Sequence, residues 1–171
     1  MTAYVRGATA HDLEYLEDIE NRADKILIER LHPATWHPAP TVSERMRFDG
    51  FVLVASVTEE SNPVGFAHVI EFDDAAHLEQ LSVLPESGRQ GVGRMLVNAA
   101  MDEAAHRGYS SITLRTFANL PWNAPFYSSC GFVESEPVSA FELELLVAEH
   151  AVGIDALGRR VQMSACLGNR K

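Results

Sequence analysis

Cysteine and positive charge are both scarce in this chain, and each shortage excludes a class of protein. Only Cys130 and Cys166 occur in 171 residues, without a CxxC spacing, so we expect no disulfide framework and no cysteine-based zinc site. Fourteen lysines and arginines stand against 24 aspartates and glutamates, which gives a formal charge of -10. Because a nucleic-acid surface needs clustered basic residues, we expect no nucleic-acid partner.

Long apolar runs are also missing. The run over 51–57 is far shorter than the roughly 20 residues that span a bilayer, and the first residues lack the apolar stretch of a signal peptide. We therefore expect a cytoplasmic protein with no membrane partner. A hydrophobic content of 46% and a charged content of 22% are ordinary for globular proteins, and the length predicts a single domain over 1–171.

Hydrophobic periodicity predicts the order of the elements. The predicted elements are a strand over 4–9, a helical segment from about 9 to 31, strands over 51–57, 64–71 and 77–83, a helix over 91–107, a strand over 111–117, a short helix over 124–130, a strand over 132–135, a helical or mixed segment over 139–151 and a closing strand over 160–167. This order predicts an α/β fold with a mixed central sheet, antiparallel N-terminal strands and helices on both faces.

A proline-rich segment over 32–40 interrupts these elements and cannot be a regular helix. His32 and His37 flank Trp36 in this segment, but no third metal ligand is nearby. An ordinary loop is therefore favoured over a metal site.

The polar loop after the third sheet strand has the composition of an anion site. Gly91 and Gly93 open a long amphipathic helix, and Arg89 and Arg94 lie beside them. The first turn of a helix has unpaired N–H groups and a partial positive charge, and glycines let a phosphate approach closely. A Walker loop is excluded because Lys-Ser/Thr does not follow Gly93, and a Rossmann fingerprint is excluded because its third glycine is missing. A helix start without a ligand remains an alternative.

Two motifs in this order resemble the GNAT superfamily of acetyl-CoA-dependent N-acetyltransferases. The first is the strand Leu81-Ser82-Val83 with the loop Arg89-Gln90-Gly91-Val92-Gly93-Arg94, and the second is the segment Pro121–Phe132, which holds Asn123, Phe126, Tyr127 and Gly131. The resemblance covers residues 64–133 and implies a GNAT-like sheet. It also implies acetyl-CoA as cosubstrate, with no metal. The strand, the loop and Asn123 are implied to contact this coenzyme.

The chain departs from the family pattern at two positions. Gly88 stands where the family has Gln or Arg, so phosphate binding is assigned to backbone N–H groups with Arg89 and Arg94. Leu120 stands where the family often has Asn. Asn119 and Asn123 are the nearby candidates, although Asn123, which precedes Ala124-Pro125, is also expected to cap a helix.

Amine acetylation requires a base, because an ammonium group has no lone pair, and benefits from an acid for the departing thiolate. Glu79 is the candidate base, provided that a bulge turns its side chain toward the thioester, and His77 is the reserve. Tyr127, at the family's tyrosine position, is the candidate acid. Cys130 has no adjacent base in the sequence, so direct transfer is preferred over an acetyl-cysteine intermediate.

The acceptor cannot be read from the motifs. We expect a small-molecule amine or a peptide amine, bound by residues 20–48 and by the C-terminal segment, where Glu20, Asp24 and Glu29 suit a cation. Two alternatives remain open: a non-catalytic domain that binds acyl-CoA as a sensor, and an enzyme for protein N-terminal amines. The sequence also leaves open whether the chain forms a homodimer.

Overall fold

The computed structural model describes residues 3–168, and the strands of this range form one seven-stranded sheet in the order β1-β2-β3-β4-β5-β7-β6. The strands are β1 (Tyr4–Gly7), β2 (Gly50–Ser56), β3 (Pro63–Phe72), β4 (Ala75–Val83), β5 (Ser111–Phe117), β6 (Val133–Ser135) and β7 (Arg160–Cys166). The helices are α1 (Ala10–Leu13), α2 (Leu16–Ala23), α3 (Lys25–Leu31), α4 (Val42–Arg45), α5 (Val92–His106), α6 (Ala124–Ser129) and α7 (Ala140–Val152).

The sheet is mixed, as the order of elements predicts. Strands β1 to β4 pair antiparallel, α5 crosses over so that β5 runs parallel to β4, and β7 pairs antiparallel with both β5 and β6. The predicted α/β class with a mixed sheet is confirmed.

Helices cover both faces of the sheet, which is also confirmed. The apolar stripe of α5, which includes Leu96 and Ala100, packs into the larger core on one face. Leu16 and Ile19 of α2 pack with Val54 and Phe66 on the opposite face. The two cores fix the position of β4 between α5 and α2. No helix within residues 3–168 is long and apolar enough to cross a bilayer.

The N-terminal third differs from the prediction in detail. The first strand ends at Gly7 rather than at residue 9, because the Thr9 side chain accepts from the Asp12 N–H and starts α1. The predicted helical segment is divided into three short helices, α1, α2 and α3. An additional helix, α4, was not predicted, and its capping box between Thr41 and Glu44 follows the proline-rich segment directly.

Candidate active site

Strands β4 and β5 separate halfway along their length. Their pairing is limited to three residues of each strand and ends at Leu78 and Leu114. Beyond that point β4 continues with β3 alone, while β5 continues with β7. We call the gap between residues 79–83 of β4 and 115–117 of β5 the strand opening. Backbone groups of β4 that face this gap are available to a ligand, because no strand within residues 3–168 pairs with that edge.

A β-bulge lies at the start of the strand opening. Gln80 pairs with His68 and Leu78 pairs with Val69, so Glu79 is the extra residue. The regular strand in which Glu79, Leu81 and Val83 share one face is therefore not formed. Leu78, Leu81 and Val83 pack with the α5 core instead. The bulge that the role of Glu79 requires is present.

Glu79 lies in a water-accessible recess of the protein. Its side chain is 44% exposed, yet surrounding atoms reduce its hydration, and this burial raises the pKa of Glu79 above its ordinary value. The positive charges of Arg45 and Arg160 oppose the rise, and the negative charge of Glu149 adds to it. A carboxylate with a raised pKa is a stronger base than an ordinary one.

His77, the reserve base, is packed behind Glu79. The ring is 3% exposed, its Nδ1 lies 2.9 Å from Thr113 Oγ1, and it contacts the edge of Phe141. Burial lowers the pKa of His77 to about 4, so the ring is neutral and weakly basic at neutral pH. Its Nε2 lies 3.6 Å from Glu79 Oε2, a position from which it limits the space open to that carboxylate.

The N-terminus of α5 faces the other side of the strand opening. Gly91 caps the helix with a φ of 84°, a left-handed conformation that favours glycine. A Cβ on Gly93 would lie 3.6 to 4.0 Å from Phe126, Val83 and Leu81, which are ordinary contact distances, so the start of α5 packs against the end of β4. Val92 is buried in the core and can offer only its backbone N–H to a ligand. The cradle fits a pyrophosphate held by backbone groups.

The polar side chains of this loop have different surroundings. Arg89 is exposed, and its φ of 58° is also left-handed. The Gln90 side chain donates to the Glu86 carbonyl. Arg94 donates to the carbonyl and the Oγ of Ser129, both at 2.8 Å, and thereby ties α5 to the end of α6. Arg89 therefore extends freely from the loop, whereas Arg94 also supports α6.

Tyr127 projects from α6 into the apolar contacts around Phe126 and Phe132, whose rings lie 5.1 and 5.9 Å away. Burial raises the pKa of Tyr127 well above its ordinary value, so the phenol stays protonated at neutral pH. Asn123 occupies the N-cap position of α6, but its side chain makes no capping hydrogen bond there. The capping role expected for Asn123 is therefore wrong in this structure.

The cysteines and the two loop histidines do not form a further centre. Cys130 is buried with its Sγ 3.6 Å from Arg94 Nη1, whereas Cys166 is exposed. His32 ends α3 in a left-handed conformation. Across residues 3–168, no group of three or more His, Cys, Asp or Glu side chains is arranged to hold a metal.

Sequence reasoning missed a buried ion pair on the acceptor side of the sheet. Arg45 of α4 hydrogen-bonds Glu20 of α2 and lies 5.0 Å above the Phe66 ring. Burial raises the pKa of Glu20 to about 7, although Arg45 opposes the rise. Beside them, Trp36 donates to Asp24 at 3.0 Å. Glu20 and Asp24 were candidates, but nothing local in the sequence indicates the long-range partner Arg45.

A second cluster, of Arg115, Glu149 and Arg160, was also missed. Arg115 is the only charged residue in the otherwise apolar and hydroxyl-bearing strand β5. A charged side chain in such a strand requires a buried partner. The presence of Arg115 in β5 is therefore the one signal in the sequence that indicates this cluster.

Comparison with known proteins decides the family. The model of the acetyltransferase (GNAT) family matches residues 14–132. The chain belongs to the GNAT acetyltransferase family. It is accordingly an acetyl-CoA-dependent N-acetyltransferase, and an amine is its acceptor.

Solved GNAT structures share the fold along nearly the whole chain. A ribosomal-protein alanine N-acetyltransferase from Escherichia coli is 21% identical with a TM-score of 0.66, covering 97% of this chain and 94% of its own. The PaiA N-acetyltransferase from Thermoplasma acidophilum, solved with coenzyme A, is 17% identical with a TM-score of 0.67 and coverages of 97% and 99%. A GNAT acetyltransferase from Staphylococcus aureus is 15% identical with a TM-score of 0.65 and coverages of 97% and 99%.

Proposed function

We propose that this GNAT enzyme transfers the acetyl group directly from acetyl-CoA to an amine, with Glu79 as the base and Tyr127 as the acid. The whole chain, 1–171, acts as one N-acetyltransferase domain in this proposal. The observation that carries it is the bulge at Glu79, because this bulge coincides with the point where β4 and β5 separate. A base is thus available where the two substrates can meet.

The coenzyme is assigned to the α5 side of the strand opening. Leu81, Ser82 and Val83 offer backbone groups along the unpaired edge of β4. The pyrophosphate is assigned to the backbone of residues 89–94, with the side chains of Arg89 and Arg94 nearby, and Asn123 borders the same region. The position of Gly93 supports this assignment, because the first turn of α5 lies against Leu81 and Val83 at the unpaired edge of β4.

Glu79 and Tyr127 divide the proton transfers between them. The raised pKa of Glu79 suits a group that accepts a proton from an ammonium. The raised pKa of Tyr127 suits a group that keeps its proton until a thiolate departs. When bound, acetyl-CoA supplies the activated acetyl group as a thioester. Holding both substrates in one site contributes to the rate as well.

The acceptor is assigned to the face opposite α5. Asp24, Trp36 and the Glu20–Arg45 pair lie on that side, and the Asp24 carboxylate suits an amine that arrives as a cation. The Escherichia coli neighbour acts on an alanine of a ribosomal protein, so a peptide amine remains in the proposal beside a small molecule. Neither Cys130 nor Cys166 forms a disulfide within residues 3–168, which is consistent with a cytoplasmic location.

A thiol-release assay tests the proposal. Purified enzyme and acetyl-CoA are incubated with polyamines, amino acids, aminoglycosides and short peptides, and free coenzyme A is measured against time. We expect amine-dependent release for at least one acceptor class, with the acetyl group recovered on the amine nitrogen. Release without amine acetylation would contradict the proposal. Coenzyme binding without turnover of any amine would instead support the sensor alternative.

A further inference from the structure

Three charged side chains form a compact cluster between α7 and the sheet. Arg115 of β5 donates from Nε and Nη2 to the two carboxylate oxygens of Glu149, at 2.9 and 3.0 Å. Arg160 of β7 donates from Nη2 and Nε to Glu149 Oε1, at 2.7 and 3.2 Å. The exposed fraction of the side chain is only 8% for Arg115, 13% for Arg160 and 14% for Glu149. Paired guanidinium and carboxylate groups at this depth are held in fixed positions.

This cluster lies at the strand opening, on the acceptor face. Arg115 follows Leu114, the last residue of β5 that pairs with β4. Its side chain alternates with Leu114, which packs in the α5 core, so it points to the same face as Thr113 and His77. Glu79 begins the opening on the opposite strand. Arg115 lies two residues beyond Thr113, about 7 Å along the strand, and His77 contacts both Thr113 and Glu79, so one small molecule can reach both Glu79 and Arg115.

An open depression of about 260 Å³ adjoins the cluster. Its lining residues are Arg115, Leu146, Glu149, Asp155, Gly158, Arg159 and Arg160. Arg159 pairs with Glu134 and Asp155 pairs with His150, and Arg159 and His150 are largely exposed. At the rim, the charges of Arg159 and Glu134 therefore compensate each other, and the Asp155 carboxylate lies 2.8 Å from His150 Nδ1.

The inner charges of the depression are not balanced. Two guanidinium groups share the single carboxylate of Glu149, which leaves one positive charge in excess. Burial alone would raise the pKa of Glu149, but the hydrogen bonds from both arginines outweigh it and leave that pKa below its ordinary value. Within residues 3–168, neither Nη1 of Arg115 nor Nη1 of Arg160 has a hydrogen-bond partner. These two donors are available to bind a second anion. They form a local positive site in a chain whose net charge is -10.

We propose that this depression binds an anionic group of the acceptor, so that the substrate is an amine that also carries a carboxylate or a phosphonate-type group, as amino acids do. The inference rests on the proposed function, since it places the amine at Glu79 and the anion at Arg115 and Arg160. Guanidinium groups match both planar carboxylates and tetrahedral phosphates. In this arrangement Glu79 determines which nitrogen attacks the thioester, and the depression determines which amines bind.

Matched acceptors test the inference. Initial rates are measured for free amino acids, for their carboxamides and for the corresponding aminophosphonates, with wild-type enzyme, Arg160→Gln and Arg160→Lys. We expect Arg160→Gln to raise the KM of the anionic acceptors at least tenfold, and Arg160→Lys to raise it less. The KM of the carboxamides and of acetyl-CoA should change less than twofold, because these ligands do not use the depression. The ratio of carboxylate to phosphonate rates identifies which anion is preferred.

Controls separate this role from a structural one. Arg107→Gln removes a charge from an arginine that pairs with Glu71 and Glu103 on another part of the surface, and we expect it to leave all acceptor KM values unchanged. An equal loss for anionic acceptors and carboxamides in Arg160→Gln would make the cluster a structural clamp and overturn the inference. Equal rates for both acceptor classes with wild-type enzyme would overturn it as well.

A binding measurement does not depend on turnover. N-acetylamino acids and their carboxamides are titrated into enzyme saturated with coenzyme A, and the melting temperature is recorded. We expect a rise with the N-acetylamino acids, and we expect Arg160→Gln to abolish it. The absence of a rise with wild-type enzyme would overturn the inference. Turnover of neutral amines in the same preparation would leave the proposed function standing.

Discussion

At the scale of single residues, reduced hydration suits Glu79 and Tyr127 to the opposite roles, base and acid, that are proposed for them. Reduced hydration disfavours the charged form of each group and raises the pKa of both. A carboxylate becomes a better proton acceptor by this change, whereas a phenol becomes a more persistent proton donor. Burial can therefore prepare one group as a base and another as an acid within the same protein.

Replacing Glu79 by Gln tests the assignment of the base. Wild-type kcat/KM should rise with pH through the raised pKa of Glu79 and then level off. Glu79→Gln retains the shape of the side chain but cannot accept a proton, so the rising limb should move toward the pKa of a free alkylamine, about 10.4. Higher pH should restore part of the lost rate. Glu59→Gln, in the exposed turn between β2 and β3, is the control, and an unchanged limb in Glu79→Gln would exclude it as the base.

Replacing Tyr127 by Phe tests the assignment of the acid. The ring contacts with Phe126 and Phe132 are retained, so folding and coenzyme affinity should change little. We expect kcat to fall by roughly 10²–10⁴-fold, because proton donation to the thiolate is lost. Tyr4→Phe, at an exposed tyrosine of β1, is the control. Wild-type turnover in Tyr127→Phe would reduce this residue to a packing role.

His68 provides a prediction about stability. Burial, with the nearby positive charge of Arg45, lowers the pKa of His68 to about 4, and its buried Nδ1 has no hydrogen-bond partner among residues 3–168. Between pH 6.5 and 4 the unfolded chain binds the proton more readily, so His68 contributes stability above pH 6.5 that is lost as pH falls through 4.

The free energy of unfolding of the His68→Leu variant should therefore depend less on pH than that of the wild-type protein. We expect the difference in unfolding free energy between pH 7 and pH 4 to shrink by about 3 kcal/mol, at 1.36 kcal/mol per pKa unit. Urea titrations of both proteins at the two pH values give the comparison. His77 still titrates in both proteins and leaves part of the dependence in place. Identical pH dependence in both proteins would show that His68 is not buried in its neutral form.

The candidate roles of single residues could be predicted from the sequence where a short local motif indicates them. Tyr127, Gly91 and Gly93 stand at fixed offsets in short motifs, and Glu79 is the only carboxylate in the strand predicted over 77–83. Arg45 and Glu149 were not predictable, because their roles depend on partners 25 and 34 residues away. The Asn123 cap was predicted from composition, but the backbone φ of -113° and ψ of -111° differ from the extended geometry of an ordinary N-cap.

At the scale of elements, the start of α5 and the unpaired edge of β4 act together. In the proposed function, the orphan N–H groups of the helix and the free strand edge bind the coenzyme from two sides. A side chain longer than a methyl group at Gly93 would crowd Phe126, Val83 and Leu81 at this junction.

The variant Gly93→Val should lose coenzyme binding. Wild-type enzyme should melt at a higher temperature with acetyl-CoA, because a ligand held only by the folded state stabilises it. The branched methyl groups of the introduced valine would project toward Leu81, Val83 and Phe126 and remove the shift. Gly7→Val is the matched control, since a Cβ there meets nothing within 4 Å and its φ is not left-handed. A shift of wild-type size in Gly93→Val would show that acetyl-CoA does not bind at the start of α5. Gly91→Val is a poor test, because its φ of 84° would strain any valine.

The elements themselves were largely predictable, and their interruptions were not. The apolar runs of β2 and β3 and the stripe of α5 follow from burial on the two faces of the sheet. The breaks between α1, α2 and α3 lack a proline or glycine, and the bulge at Glu79 depends on the register of β3. Neither feature has a local signal in the chain.

At the scale of the whole molecule, the sheet separates the two regions that the proposed function assigns to the coenzyme and to the acceptor. The α5 side has the glycine cradle, and the opposite side has Glu20, Asp24 and the cluster of Arg115, Glu149 and Arg160. The strand opening connects the two regions at Glu79. Both substrates can therefore be bound at the same time, and this simultaneous binding is the central claim of the account.

Initial-velocity kinetics test this claim most directly. The rate is measured over a grid of acetyl-CoA and acceptor concentrations, and intact protein mass is recorded after incubation with acetyl-CoA alone. Direct transfer predicts double-reciprocal lines that intersect, no acetylated enzyme, and unchanged rates in Cys130→Ala and Cys166→Ala. Parallel lines, together with a trapped acetyl-enzyme that disappears in Cys130→Ala, would contradict the account and make Cys130 the nucleophile.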